Sequence, residues 1–128
     1  MKSLTYTLVA DGTSDRCLMH VINWALAQHV RPTGSWLITS EFADYKKKPD
    51  PPKSLSDRLR QAALYHPCDV LFVHRDAERE APFHRRTEIL DAATEAGIKS
   101  VVCIVPVRMT EAWMLIDESA IRHAAGNP

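Results

Sequence analysis

Val70-Leu71-Phe72-Val73-His74-Arg75-Asp76-Ala77-Glu78-Arg79-Glu80 passes from four consecutive apolar residues into a run of charge. An unbroken apolar run of that length suits a strand covered by helices on both faces, so Val70–Val73 is predicted as a central strand of a parallel sheet. Upstream, Ser54 and Asp57 mark a helix start, Leu55, Leu59, Ala62 and Ala63 form its apolar face, and His66-Pro67 stops it. Downstream, Pro82 suits a first helical position, Ile89, Leu90, Ala93 and Ala96 form a stripe, and Gly97 is a left-handed stop. Val101 to Val105 then reads as another fully buried strand. Nearer the amino terminus, Leu4 to Ala10 alternates as a strand and Asp11-Gly12-Thr13-Ser14-Asp15 turns into a helix, capped by Thr13 or Ser14. Leu18, Val21, Ile22, Ala25 and Leu26 recur at helical spacing up to Arg31-Pro32, and Trp36 to Phe42 has the mixed alternation of an edge strand. Thr110 to Ile116, with a second short segment to Ala125, is predicted helical. Strands alternating with helices imply a three-layer α/β sandwich, Rossmann-like, with a mainly parallel four-stranded sheet, formed by residues 1–128 as a single domain.

A chain of 128 residues removes roughly 68% of its unfolded surface from water on folding, enough for one core and too little for two. Its apolar fraction of 45% and charged fraction of 25% are those of a globular domain and exclude the disordered, collagen-like and coiled-coil classes. Met1-Lys2-Ser3 leads straight into a strand pattern and no apolar run reaches membrane-spanning length, so a cytoplasmic protein with no membrane partner is expected. Sixteen basic and sixteen acidic side chains cancel, so attraction to a polyanion has to come from a local patch. The odd number of cysteines, Cys17, Cys68 and Cys103, lacks zinc-ribbon spacing and reads as buried thiols.

In a parallel sheet the segments after each strand gather on one edge, where open α/β folds bind ligands. Here these are Asp11–Asp15, Asp44-Tyr45, His74–Glu80 and Arg108–Glu111, and acids dominate them. If the chain stays extended past Val73, Asp76 and Glu78 face the same way and could hold one hard cation, Mg2+ or Mn2+, with Asp11 approaching from the neighbouring strand. Taken alone, the charged run is better described as a solvated loop in which Arg75 and Arg79 neutralise their neighbours, and it is Asp11, at the end of another strand, that favours the cation site. Arg75, Arg79 and Arg108 are candidates to clamp phosphate oxygens in a bidentate manner. Lys46-Lys47-Lys48-Pro49-Asp50-Pro51-Pro52-Lys53 is an exposed basic loop on the same edge, fit either for a nucleic-acid backbone or for keeping an edge strand soluble. His-Arg-Asp is not a kinase catalytic loop, because Ala81 stands where that motif needs Asn. His74 and His84 lack partners at zinc spacing, and His74 reads as a hydrogen-bonded group beside a strand end. Four glycines provide neither a phosphate loop nor a dinucleotide fingerprint.

Val70 to Glu80 resembles the strand and Asp-x-Asp-Arg-Glu segment of toprim domains, the module shared by topoisomerases, bacterial primases and the overcoming-lysogenization-defect nucleases. Asp11-Gly12 falls where those domains carry Glu-Gly after their first strand. Val107-Arg108-Met109-Thr110-Glu111-Ala112-Trp113-Met114-Leu115 is similar to a segment of toprim-like bacterial proteins, some found near phage-defence genes. The resemblance implies metal-dependent processing of nucleic-acid phosphodiesters with Mg2+ or Mn2+ as cofactor. Asp76, Glu78 and Asp11 would be metal ligands, and Asp11 also the general acid/base. Glu80 and Asp15 would stand behind these acids, and Glu111 and Arg108 would join the catalytic set. Lys46, Lys47, Lys48, Arg75 and Arg79 would contact the nucleic acid. A second copy of the chain or a larger defence complex would be the protein partner. Relatives of this kind run past the equivalent of Asn127-Pro128, so truncation at the carboxyl terminus is expected. Asp11 is one methylene shorter than the family's Glu and Glu78 one longer than its Asp, which motivates a rival reading, a catalytically inactive toprim-like binding or sensor module. A second rival, a receiver-like phosphoacceptor domain, would need a lysine near the position of Arg108.

Overall fold

A computed structural model describes residues 1–45 and 50–107, together with residues 119, 122, 123, 125 and 126. Four strands, β1 (Lys2–Val9), β2 (Trp36–Phe42), β3 (Val70–His74) and β4 (Val101–Ile104), alternate with three helices, α1 (Leu18–Val30), α2 (Leu55–Tyr65) and α3 (Pro82–Glu95). Strands pair in the order β2-β1-β3-β4 and every pairing is parallel. The register sets Val9 beside Val73 and Val73 beside Cys103, so the carboxyl ends of the two inner strands, β1 and β3, lie side by side.

Two apolar clusters, one on each face of the sheet, make the three layers. Leu18 and Ile22 of α1 pack on Tyr6, Leu8 and Phe42, with Phe72 and Ile104 at the margin. Leu59 and Ala62 of α2 and Ile89, Ala92 and Ala93 of α3 pack on Val9, Leu71 and Val73. Strand geometry sends successive side chains to opposite faces, so Val70 and Phe72 meet α1 while Leu71 and Val73 meet α2 and α3. This covering of β3 from both sides is what its unbroken apolar run demanded.

Helix boundaries follow local chemistry. The Ser54 hydroxyl accepts from the Asp57 amide at 3.1 Å and starts α2. Pro82 opens α3. Beyond its end Gly97 takes φ 75°, while the Ile98 amide donates to the Ala93 carbonyl at 2.8 Å, the closure expected where glycine stops a helix.

Several details differ from the sequence reading. Among the described residues β4 pairs only with β3 and is an edge strand, leaving Val102 exposed rather than buried. Ala63, Val21 and Leu90 are exposed, because each helix seats a narrower stripe than its apolar spacing suggested, and Cys17, expected as a buried thiol, is exposed on the turn before α1. Before α1 the chain makes a 3-10 turn, Thr13–Cys17, whose cap is Gly12 rather than Thr13 or Ser14. Lys46, Lys47, Lys48, Arg108 and Glu111 lie outside the described residues, as does nearly all of the helix predicted from Thr110 to Ala125. Among the described residues no helix is long and apolar enough to cross a membrane.

Candidate functional site at the carboxyl edge

β3 ends at His74, but backbone bonds on the β4 side continue past it: the Arg75 amide donates to the Ile104 carbonyl and the Ala77 amide to the Pro106 carbonyl, both at 3.1 Å, which keeps the segment close to extended. Alternation therefore sends His74 and Asp76 toward α1 and Arg75 toward α2 and α3. The contacts follow this division. His74, fully buried, has Nδ1 3.5 Å from Asp15 Oδ2 and Nε2 3.5 Å from Asp76 Oδ1. Asp15 also accepts the Gly12 amide at 3.2 Å, which links the turn after β1 through His74 to the end of β3. Sequence reading put Asp15 in a first helical turn, behind the acids of the edge; the structure buries it beside His74, with the Gly12 amide donating to its carboxylate.

Arg75 serves the opposite face. Its Nε lies 3.1 Å from Asp11 Oδ2 and its Nη1 2.8 Å from Glu88 Oε1 on α3. Asp11 is held a second time by Arg58 of α2, at 3.0 Å. Glu88 in turn pairs with Arg85 at 2.9 Å, and Arg85 reaches Glu78 at 3.4 Å, Glu80 at 3.9 Å and the Asp76 carbonyl at 3.1 Å. An alternating chain of guanidinium and carboxylate, Arg58–Asp11–Arg75–Glu88–Arg85, thus runs across the edge from α2 to α3. Burial pushes the Glu88 carboxyl upward, but its bonds and proximity to Arg85 and Arg75 outweigh this and hold it below its ordinary value. Arg85 is moved up, chiefly by its bond to Glu88.

This geometry revises the expected constellation. Glu78 adopts φ 54°, which ends the extended run, so Asp76 and Glu78 do not project in parallel. Asp11 and Asp76 are directed to opposite faces, each with partners of its own. Arg79 is exposed and makes no ion pair among the described residues. Arg58, Arg85 and Glu88 escaped the sequence reading; the spacing of Arg85 and Glu88 on one helix was the only local signal for any of them.

Hard carboxylate oxygens are the ligands that Mg2+ takes. Among the described residues, however, no three His, Cys, Asp or Glu side chains converge on one point. Asp11 is engaged by two arginines and Glu78 by one. The described acids therefore do not fit a preformed divalent-cation site.

Beside Asp11 the edge opens into a cavity of about 460 Å³ between the ends of β1 and β2. Gly12, Thr13, Tyr45, Pro51, Pro52 and Arg58 contribute to its walls, and its charged lining is completed by Asp11, Asp44, Asp50 and Lys53. The Tyr45 hydroxyl donates to the Arg58 carbonyl and fixes that wall to α2; burial pushes its ionisation far above the ordinary range. Comparison of the chain with protein-family models, with curated proteins and with solved structures finds no match.

Proposed function

We propose that this chain is a toprim-like domain that binds and cleaves nucleic-acid phosphodiesters at the carboxyl edge of its sheet. The observation that carries this reading is the adjacency of the two inner strand ends, Asp11-Gly12 after β1 and His74-Arg75-Asp76 after β3, joined through the Asp11–Arg75 ion pair. Acids after these two strands, in this strand order, are what the resemblance to toprim domains leads one to expect. The chemistry of the edge agrees with the substrate class. Guanidinium groups from α2 and from the end of β3 offer charge-assisted donors for phosphate oxygens. Asp76 Oδ1 lies 3.5 Å from Nε2 of a buried imidazole whose Nδ1 lies 3.5 Å from Asp15, a neighbourhood in which Asp76 could act as a proton acceptor.

A second reading, a binding or sensor module without catalysis, is favoured by the occupation of Asp11 by Arg58 and Arg75. One experiment separates them: cleavage of single- and double-stranded oligonucleotides in Mg2+, in Mn2+ and in EDTA, by wild type and by Asp76→Asn. Divalent-dependent cleavage that falls by about a hundredfold or more in Asp76→Asn supports the enzyme. Binding without cleavage under every condition leaves the module. Neither binding nor cleavage contradicts both.

A further inference from the structure

Two arginines from separate elements converge on one half-exposed carboxylate at the rim of a cavity, and that is how a site for an anion is built. We infer that Arg58 and Arg75 form a phosphate-binding fork, which the Asp11 carboxylate of the same chain occupies as an internal competitor when no nucleic acid is bound. The inference rests on the proposed function and adds to it the groups that take the phosphodiester and the step that admits it.

The geometry supports exchange rather than a permanent structural pair. Arg58 Nη1 donates to one Asp11 oxygen at 3.0 Å, and Arg75 Nε lies 3.1 Å from the other in an ion-pair contact that is not aligned as a hydrogen bond, so each oxygen of one anion has its own guanidinium. A phosphodiester likewise presents two non-bridging oxygens to a pair of guanidiniums. The Asp11 and Arg58 side chains retain 44% and 31% of their exposure, so solvent reaches the Arg58 side of the contact without unfolding, while Arg75, at 19%, forms its floor. Arg58 and Asp11 both line the 460 Å³ cavity, which leaves room for the incoming group beside the fork. Arg75 is anchored from behind by Glu88 at 2.8 Å, so it stays in place when Asp11 leaves. Asp44 and Asp50 in the cavity lining oppose an anion while Lys53 favours it, so binding is expected to be weak and salt-dependent in the wild type.

A competitor that fills the fork nine-tenths of the time weakens apparent affinity about tenfold. Removing its charge should therefore strengthen binding, and a gain that depends on Arg58 separates release of the fork from the general loss of one negative charge. The test is fluorescence anisotropy with a fluorescein-labelled single-stranded oligodeoxynucleotide, in EDTA and at low salt, where no divalent-dependent cleavage occurs. Asp11→Asn is expected to bind about tenfold tighter than wild type, Arg58→Ala to bind more weakly, and the double variant to lose the gain. Titration of inorganic phosphate into the wild type, followed through arginine side-chain Nε–Hε resonances, should shift Arg58 and Arg75 together. That arm stands even if Asp11→Asn does not fold. Equal or weaker binding by folded Asp11→Asn, or phosphate shifts confined to other arginines, would overturn the fork. Cleavage by the wild type with no gain in Asp11→Asn would remove the fork alone, and a gain with no cleavage under any condition would remove the catalytic reading alone.

Discussion

Truncation of Leu59 to Ala is expected to lower the free energy of unfolding by about 2–5 kcal/mol, the range for emptying a well-packed leucine site. Leu59 is fully buried on the inner face of α2, in one cluster with Val9, Leu71, Val73 and Ile89. The loss combines forfeited burial of the leucine with a cavity that β1, β3 and α3 cannot collapse to fill. Against a total stability of about 5–15 kcal/mol for a domain of this kind, that is a large fraction. Urea denaturation should show a lower midpoint with an unchanged slope. A loss under about 1 kcal/mol would mean that α2 is not seated on the sheet as described, and Arg58, its neighbour in sequence, would then not be positioned at the edge.

The second large effect is expected at Arg75. This side chain stands between Asp11 and Glu88, and Arg75→Ala leaves both carboxylates with one arginine fewer. Both acids are partly exposed, which screens the interaction, so the expected destabilisation is about 1–2 kcal/mol at neutral pH. Arg75→Lys restores the charge without the fork and should recover less than half of that. The effect should also depend on acidity. Glu88 titrates in the folded protein below its ordinary value of 4.5, so its contribution to stability is present in full above that value and is lost as the pH falls through the lower folded one. The gap between wild type and Arg75→Ala should therefore narrow on acidification, as chemical denaturation across that range can measure. A gap independent of pH, or full rescue by lysine, would contradict the bridging role.

Much of the architecture was legible because burial writes itself into the order of residues. Val70–Val73 has both faces covered, and an unbroken apolar run is the sequence pattern that fits it. The ends of α2 and α3 were legible because Ser54, Pro82 and Gly97 each act on backbone groups a few residues away. β4 was misread because an apolar run reports covered faces and not the number of neighbouring strands.

At the edge, proximity after β1 and β3 followed from topology, but direction did not. Glu78 carries no mark of its left-handed backbone, a conformation that glycine or asparagine would have signalled. The Asp11–Arg58 pair spans 47 positions and depends on α2 packing beside β1, which no local pattern encodes. His74, by contrast, announced itself as a polar residue closing an apolar strand, and it is buried between two carboxylates, each 3.5 Å from a ring nitrogen.

The proposed function requires nucleic-acid phosphodiesters to be engaged at the carboxyl edge of the sheet. Amide chemical-shift mapping during titration with a short single-stranded oligonucleotide tests it most directly. Perturbations are expected to concentrate at residues 11–15, 44–45 and 74–80 and at Arg58, with the amino ends of the strands unchanged. Saturable perturbations gathered anywhere else on the fold, or none at all, would contradict it.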